Sequence, residues 1–516
     1  MPPIIALILW LILLLALLRF DPAREPGTSP ALWIPLIWIF IVGTRLPSQW
    51  LGGAIEIGSG SLEEGNPLDR TVFSVLMVLA VGILMSRRFN WMKFFSSNLA
   101  LCAFLFFGLV SFIWSDFPLV ALKRWFRDLG NYFMILVVLS DPCPLEAFRS
   151  LLRRLFYLLI PLSVLIVKYF PALGKQYDMW TGANLFVGAS TSKNMLGATC
   201  LISGLFFFWD TLTRWADRKN RQTKRIIWLN AALMSMTLWL LHLASSATST
   251  VCLGIGCLVI VVARGDKWKQ RSTLLKVMIP ASFCLYLILA FGFDMSGQMA
   301  GAVGRDPTFT DRTVIWKAVL GTHTNPFVGT GYESFWLGPR LDYVWRFVIG
   351  INEAHNGYLE VYLNLGLIGL ALLVMFLLAS YGNICKRLAS GTALGAFTLS
   401  LWTILLFYNV TEAAFKGTLL WLCFLPGAMA IPEDAEYVMR DPSAFGKAGA
   451  RNWSSKLSVG NAGRVEVVTR PLDMPLKSAH GRASQVPQKD MGTETKPRAE
   501  KLIDPQRVKF PAKGSR

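Results

Sequence analysis

Charged side chains and histidines are scarce in this chain of 516 residues. Charged residues make up 16% of it and histidines number four, whereas 53% of the residues are hydrophobic. That balance excludes a soluble domain of this size, and the histidines are too sparse to form a metal cluster. The sequence contains no P-loop, no Gly-rich dinucleotide fingerprint and no CxxC pair. These absences argue against nucleotide-binding, dinucleotide-binding and zinc-ribbon proteins.

The apolar residues occur instead in long blocks. A run of about 20 apolar residues is long enough to cross the hydrocarbon core of a bilayer as a helix. The pattern predicts about thirteen such helices, so the fold class is an all-α polytopic membrane protein. The predicted spans are 3–18, 30–45, 70–86, 96–115, 125–140, 151–170, 195–212, 226–244, 247–263, 272–292, 356–380, 391–411 and 417–431. The first is read as a retained helix, because Met1-Pro-Pro lacks the basic start of a signal peptide.

The distribution of basic residues predicts the orientation. The net charge of +19 could suggest nucleic acid as a partner, but the basic residues gather in loops on alternate sides of the spans, as the positive-inside rule expects. The runs 214–225 and 264–271 are the clearest cytoplasmic loops. The long polar segment 293–355 then falls on the outer, periplasmic face. We expect a transmembrane domain over 1–432 and a basic, disordered cytoplasmic tail over 433–516, because the tail has few aromatics and no periodicity.

The segment 293–355 begins with GRDPTFTDRTVIW. Thr308 and Asp311 fit a capping box, which predicts a helix from about Phe309 with Arg312 and Trp316 on one face. A helix start beside an arginine is a good site for phosphate, and Arg305 lies just upstream. The alternative is a surface helix whose arginines contact lipid headgroups.

The segment ends with NEAHNGYLEVYLNLG, which runs into an apolar span. If the helix begins near Ala354, Asn356 and Glu360 stack one turn apart, and His355 lies on an adjacent stripe with tyrosines. A carboxylate inside an apolar span is costly unless it faces a protein interior or a wet cavity, so Glu360 is a functional candidate. His355, with Glu353 nearby, is a candidate for proton chemistry, although a lone histidine is often structural.

Three further polar stretches lie at outer ends of spans: 192–194, 245–250 and 409–412. Ser/Thr pairs at such places usually join helices, and Lys193 could be a snorkelling anchor. Glu412 ends the third stretch. A basic run over 123–127 also falls on the outer side, against the positive-inside trend. It indicates either an anion path or a misplaced boundary, and the sequence leaves both open.

At these residues the chain resembles the O-antigen ligase and polymerase superfamily, which includes succinoglycan-type exopolysaccharide polymerases. The resemblance covers most of 60–430. The matching stretches, in order, are Glu64-Gly-Asn-Pro-Leu-Asp-Arg70, Ser192-Lys-Asn-Met-Leu-Gly197, the Ser/Thr-rich 245–250, T-x-T-x-R-x-x-x-W from Thr308, N-P-F-x-G-x-G-Y-x-x-F from Asn325, His355-Asn-Gly-Tyr-Leu-Glu360, Leu365-Gly-Leu-Ile-Gly369 and Asn409-Val-Thr-Glu412.

The resemblance implies a metal-independent, inverting glycosyltransferase with a C-type fold and no cofactor. Its donor would be an undecaprenyl-diphosphate-linked glycan, and its acceptor another glycan or lipid A-core. The family's periplasmic histidine falls on His355 and its diphosphate-binding arginine on Arg312. We expect catalytic roles for His355, Glu353 and Glu360, diphosphate binding by Arg312, Arg305 and Lys193, and support from Trp316, Asn356 and Glu412.

One departure from the family bears on the type of reaction. In ligases an arginine usually follows the Ser/Thr cluster, whereas here Thr250-Val251 occupies that place. This weakens the ligase interpretation relative to the polymerase one, or shifts the role to Arg305 or Lys193. The implied partners are membrane lipids and other polysaccharide assembly proteins, with no nucleic acid. The alternative function is a transporter or flippase of lipid-linked oligosaccharide, which would carry ionisable residues along a path through the membrane.

Overall fold

The computed structural model describes residues 1–21, 27–52, 65–87, 89–177, 182, 184–265, 272–288, 312–392 and 394–430. Contacts divide the chain into two units, Met1–Arg451 and Asn452–Arg516. All described residues belong to the first unit. The predicted tail over 433–516, the predicted capping box at Thr308–Asp311 and Arg305 lie outside the described residues.

The described residues are almost entirely helical. The helices are α1 (Pro3–Arg19), α2 (Trp33–Gly43), α3 (Pro47–Trp50), α4 (Pro67–Ser86), α5 (Trp91–Ser97), α6 (Leu99–Val110), α7 (Pro118–Leu139), α8 (Pro144–Tyr169), α9 (Pro171–Gly174), α10 (Lys193–Arg214), α11 (Arg221–Ala244), α12 (Ala247–Arg264), α13 (Ser272–Leu287), α14 (Arg312–Leu320), α15 (Gly338–Trp345), α16 (Gly357–Ala389), α17 (Gly395–Thr411) and α18 (Leu419–Ala428). Short 3-10 helices cover Pro30–Leu32, Ser111–Ile113 and Trp215–Asp217. Strands β1 (Lys175–Tyr177) and β2 (Asn184–Phe186) pair antiparallel as a small hairpin.

The polytopic all-α fold is confirmed. Six described helices are long and apolar enough to cross a membrane: α4, α8, α10 with its 3-10 extension, α11, α12 and α16. A seventh candidate is the pair α5 and α6, which bends by 96° at Asn98. Five shorter apolar helices coincide with other predicted spans. The predicted span 125–140 covers the later part of α7 and its C-cap Ser140, and the first half of α7 carries the basic run noted in the sequence.

Helix α16 is broken where the polar segment meets it. Gly366 has φ 64° and ψ −166°, which is not helical. The turn 326–331 fills the break, since Leu367 N–H donates to the Pro326 carbonyl and Gly331 N–H to the Asn364 carbonyl, both at 2.9 Å. The turn is therefore inserted against the helix. Backbone groups released by the broken helix gain partners in this way.

A buried ion cluster joins three helices at the end of the bundle where α8 begins. Asp210 of α10 is fully buried and lies 2.7 Å from Arg149 of α8 and 3.1 Å from Arg214. Asn230 of α11 donates to the same carboxylate at 2.9 Å. A buried carboxylate tolerates this position because cations and hydrogen bonds surround it. The cluster fixes the ends of these helices against one another.

Candidate active site

Residues from four segments converge at the other end of the bundle, which we call the site end. Helix α14 supplies Arg312, and the stretch before α16 supplies Glu353 and His355. The link between α17 and α18, residues 412–418, supplies Glu412. The start of α10 supplies Asn194. These segments are far apart in the sequence, so the site exists only in the folded chain.

Glu412 is the centre of the cluster. Its Oε1 lies 2.9 Å from Nη2 of Arg312, and its Oε2 accepts a hydrogen bond from Nδ2 of Asn194 at 3.1 Å. The same Oε2 lies 3.6 Å from Nδ1 of His355. Its backbone carbonyl accepts from Gly357 N–H at 2.9 Å. Glu412 is buried and ends helix α17, so one rigid residue joins all four segments.

His355 is held by the backbone before it and by a second carboxylate. Its Nδ1 lies 3.1 Å from Oε1 of Glu353. Nε1 of Trp316 donates to the carbonyl of Ala354 at 2.9 Å, which ties helix α14 to the residue beside the imidazole. His355 itself has φ 48°, an uncommon conformation for a residue with a side chain. Such strain persists where the surroundings impose it, and it is frequent at functional sites.

The cluster holds more cationic groups than carboxylates. Burial would lower the pKa of His355, but the carboxylates of Glu353 and Glu412 outweigh it and raise the pKa to about 9. Burial would raise the pKa of Glu353, but His355 and Lys416 outweigh it and lower the pKa to about 2. Lys416 lies 3.6 Å from Glu353, and despite burial the surrounding carboxylates raise its pKa. Two carboxylates thus face one guanidinium, one ammonium and one imidazolium.

The helix that follows His355 starts later than predicted. Asn356 caps α16 by accepting a hydrogen bond from Leu359 N–H at 3.0 Å, so the first helical residue is Gly357 and not Ala354. The predicted stripe that placed His355 on the helix face is wrong, because His355 precedes the cap. Asn356 also donates to the Val410 carbonyl at 3.2 Å, which joins α16 to α17.

Glu360 lies on the side of α16 that faces the polar segment. Its Oε1 accepts from Nε1 of Trp336 at 2.6 Å and its Oε2 from Ala354 N–H at 2.9 Å. Asn364, one turn later, donates to the Glu360 carbonyl at 2.9 Å. Both carboxylate oxygens therefore hold the loop that carries His355. This geometry favours a positioning role for Glu360.

Lys193 lies at the edge of the cluster. It is the first residue of α10 and half-buried, but the neighbouring Asn194 makes the contact to Glu412. Within the described ranges Lys193 has no ion pair or hydrogen bond through its side chain. It therefore makes none of the described contacts that organise the cluster.

A small polar cavity adjoins the cluster. It encloses about 30 Å³ and is lined by Asp128, Tyr332, Glu333, Glu360 and Lys416, with Asn131 and apolar residues. Tyr332 donates its hydroxyl to Asp128 at 3.0 Å. A water needs about 10–15 Å³ of such volume, so the cavity has room for about two. Buried waters there could connect the site to helix α7.

Glu353, His355 and Glu412 offer three possible metal ligands within 4.8 Å of one another. The surrounding charges do not fit a divalent cation. Arg312 and Lys416 already pair with the two carboxylates, and a ligating imidazole has to be neutral. The donor set therefore suits a proton and an anionic ligand better than a metal.

Sequence reasoning missed Lys416 and Asn194. The signal for Lys416 was a lone lysine between two apolar helices on the outer side, where basic residues are uncommon. Asn194 belongs to a polar stretch that was noted for its place at a span end. Which residue of that stretch meets Glu412 depends on the rotation of α10, which the sequence does not specify.

Two comparisons bear on this site. The family model described as O-Antigen ligase matches residues 231–374, a range that contains Arg312, Glu353 and His355. The exopolysaccharide production protein ExoQ of Rhizobium meliloti (strain 1021) is 28% identical over 315 residues, which cover 57% of this chain and 67% of that protein. Both matches support the resemblance of this chain to the O-antigen ligase and polymerase superfamily. They support a role of the ligase or polymerase type in polysaccharide biosynthesis.

Proposed function

We propose that this protein transfers a glycan from undecaprenyl diphosphate to a sugar hydroxyl at the periplasmic face of the inner membrane. One observation carries the proposal. A guanidinium, an imidazole and two carboxylates from four distant segments meet at one end of a membrane-embedded bundle. An anion-binding group beside a proton-accepting group is what a diphosphate donor and a hydroxyl acceptor require.

The reaction is a single displacement. The acceptor oxygen forms a bond to the anomeric carbon of the donor, the bond from that carbon to the diphosphate oxygen breaks, and the hydroxyl proton passes to a base. Attack opposite the leaving group inverts the anomeric configuration. The carboxylates of Glu353 and Glu412 are each paired with a cation, which disfavours either as a covalent nucleophile. The proposed mechanism therefore needs neither a glycosyl-enzyme nor a metal.

Arg312 stabilises the leaving group. Its side chain is 17% exposed and contacts Glu412 through Nη2. A guanidinium has five N–H donors, so other donors remain for phosphate oxygens. Glu412 fixes the direction of the guanidinium before the donor arrives, and such preorganisation is what makes electrostatic stabilisation effective. Lys193 and Arg305 are the further candidates for the diphosphate.

His355 accepts the proton. Its Nδ1 faces Glu353 and Glu412, which leaves Nε2 for the acceptor hydroxyl. Within the described part of the chain Nε2 makes no hydrogen bond. The two carboxylates stabilise the imidazolium that forms, as an orienting carboxylate does in other histidine bases. Because they raise the pKa to about 9, the neutral base is a minor species at neutral pH.

The periplasmic assignment of the site end is supported by charge. The opposite end carries Arg149, Arg214, Arg218 and Arg264 at or beside the ends of α8, α10 and α12. Basic residues concentrate on the cytoplasmic side of membrane proteins. The site end then faces the periplasm, which is the compartment of the proposed transfer.

The test uses purified protein with a lipid-linked donor. Arg312→Ala and His355→Ala should each lower transfer by about 10²-fold or more, which is typical for removing an oxyanion-stabilising group or a general base. Lys317→Ala is the matched control, because Lys317 is exposed on the same helix, α14. All three proteins should remain folded by size-exclusion chromatography.

Near-normal product from either site variant would reject its assigned role. If the wild-type protein moves the donor across a bilayer without forming a glycosidic bond, it is a flippase and the proposal is wrong.

A further inference from the structure

Helix α7 carries a basic group at the site end that the proposed reaction does not use. Lys123, Arg124 and Arg127 lie in its first three turns, after its start at Pro118. If the site end faces the periplasm, basic residues are uncommon there. Arg124 donates to the backbone carbonyl of Glu333, so its position is explained by a structural contact. Arg127 contacts the neighbouring Asp128 but leaves half of its side chain exposed, and Lys123 has no such contact among the described residues.

Lys123 and Arg127 lie on the exposed face of the helix. Leu119 is 71% exposed and Phe126 57% exposed, and the spacing of 119, 123, 126 and 127 places all four on one side of α7. Large apolar side chains on the outside of a membrane bundle contact lipid. Lys123 has no ion pair or hydrogen bond among the described residues, and half of the Arg127 side chain is exposed. Two cations therefore stand beside lipid-facing apolar groups.

Lys123 and Arg127, with Leu119 and Phe126, form a surface that we call the patch. A short chain of contacts joins the patch to the active site. Nε of Arg127 lies 3.5 Å from Oδ1 of Asp128, and Asp128 lines the polar cavity. Lys416 lines the same cavity and lies 3.6 Å from Glu353, the partner of His355. The patch and the catalytic cluster therefore lie on two sides of one cavity.

The segment 412–418 limits the distance between them. A Cβ at Gly417 would lie 3.2 Å from Oδ1 of Asp128, so this residue touches α7 directly. Glu412 contacts Arg312 at the other end of the same segment. Five residues of fully extended chain span at most about 18 Å. A glycan whose lipid anchor sits at the patch therefore needs to bridge only a short distance to reach the catalytic cluster.

We propose that Lys123 and Arg127 form a second phosphate site, which binds the diphosphate of the lipid that carries the acceptor glycan. This inference rests on the proposed glycosyl transfer and adds the acceptor to it. The donor diphosphate binds at Arg312, and the acceptor lipid approaches α7 from the side, with its chain against Leu119 and Phe126. Cations at the level of the headgroups suit a phosphate that is itself anchored in the membrane. The chain is then a polymerase that holds two lipid-linked glycans at once.

The experiment distinguishes the donor site from the acceptor site by supplying the donor and the acceptor as two different compounds. The donor is a labelled undecaprenyl-diphosphate-linked glycan whose own acceptor hydroxyl is blocked. The acceptor is supplied either as the unblocked lipid-linked glycan or as the same glycan released from its lipid diphosphate. Rates are measured in nanodiscs of uncharged phospholipid for the wild type and for the double variant Lys123→Gln, Arg127→Gln. Lys168→Gln is the control, because Lys168 is an exposed lysine at the site end of α8.

The double variant should raise KM for the lipid-linked acceptor by about tenfold or more, since charge-assisted hydrogen bonds are the strong ones. KM for the donor and the rate with the released glycan should stay unchanged. The charge-conserving variant Lys123→Arg, Arg127→Lys should restore most of the acceptor binding. Lys168→Gln should behave as wild type.

An unchanged KM for the lipid-linked acceptor in a folded double variant would overturn the proposal. So would a wild-type enzyme that uses the released glycan as well as the lipid-linked one. Anionic phospholipid can also be added to the nanodiscs at the content of an ordinary membrane. If it abolishes the difference in KM between the wild type and the double variant, the patch binds lipid headgroups in general and the proposal is wrong. Absence of any transfer by the wild type would instead reject the proposed function.

Discussion

Glu412 shows how the role of a single residue depends on its partners. The sequence placed it among supporting residues because it ends a polar stretch at the outer end of a span. In the structure it meets Arg312, Asn194 and His355 within 3.6 Å. Its two oxygens set both the direction of the guanidinium and the charge of the imidazole. Arg312, His355 and Glu412 could all be named from the sequence, but only the structure shows that Glu412 contacts the other two.

The pKa of His355 predicts the pH dependence of transfer. A general base must be neutral, and its neutral fraction increases as the pH rises toward its pKa. With a pKa of about 9, the rate should increase about tenfold per pH unit from pH 7 and level off above about pH 9. Glu412→Gln removes one of the carboxylates that raise this pKa, so the rising limb should move to lower pH.

Initial rates of transfer between pH 6 and 10 give the pH profiles of the wild type and of Glu412→Gln, with donor stability checked at each pH. A profile of the wild type that is flat across this range would contradict the base role. It would instead indicate that His355 acts as a fixed positive charge.

At the scale of elements, the break in α16 decides where the loop lies. The sequence predicted one continuous span over 356–380. Gly357 does pack closely on Asn409 of α17, but Gly366 interrupts the helix and receives the turn 326–331. A straight span and a broken span of the same sequence have the same hydropathy, so the hydropathy pattern does not indicate the break. It brings Trp336 to Glu360, and Glu360 in turn holds the backbone before His355.

This packing predicts which glycines tolerate a methyl group. Gly366→Ala places Cβ 2.3 Å from the Phe327 carbonyl group, and Gly329→Ala places it 2.5 Å from the backbone of Asn364. Both residues have positive φ, so each variant should lose about 1–3 kcal/mol or more of folding free energy. Gly382→Ala, in the same helix as Gly366 but with nothing within 4 Å, should be neutral or slightly stabilising.

Thermal unfolding of the purified variants in detergent measures these differences. Transfer by Gly366→Ala should fall together with its stability, because the loop that carries His355 is displaced. Equal melting temperatures for Gly366→Ala and Gly382→Ala would show that the break does not constrain the helix.

At the scale of the whole molecule, the two ends of the bundle differ in how their charges are used. At one end, arginines surround buried Asp210 and flank the ends of long helices. At the other, cations and carboxylates meet in a partly exposed cluster beside a small cavity. The first arrangement holds helices together, and the second leaves charged groups accessible to a ligand.

The proposed orientation predicts which end is accessible from the periplasm. Tyr177, which is 72% exposed in β1, lies at the site end, and exposed Arg218 lies at the opposite end. A membrane-impermeant maleimide added to cells with a permeabilised outer membrane should label Tyr177→Cys at once. It should label Arg218→Cys only after the inner membrane is opened. The unsubstituted protein gives the background from the native cysteines, and the reverse pattern would invert the assignment.

The sequence by itself determined the fold class, the approximate positions of the spans and the segment that carries Arg312 and His355. Hydrophobic runs, charge asymmetry and local motifs are properties of neighbouring residues, so they can be read from the chain directly. Only the tertiary structure decided that Glu412, Lys416 and Asn194 complete the cluster and that Lys123 and Arg127 stand across a cavity from it. Those relations depend on the rotation and packing of helices that are distant in the sequence, and a periodic apolar pattern does not specify which polar ends will meet.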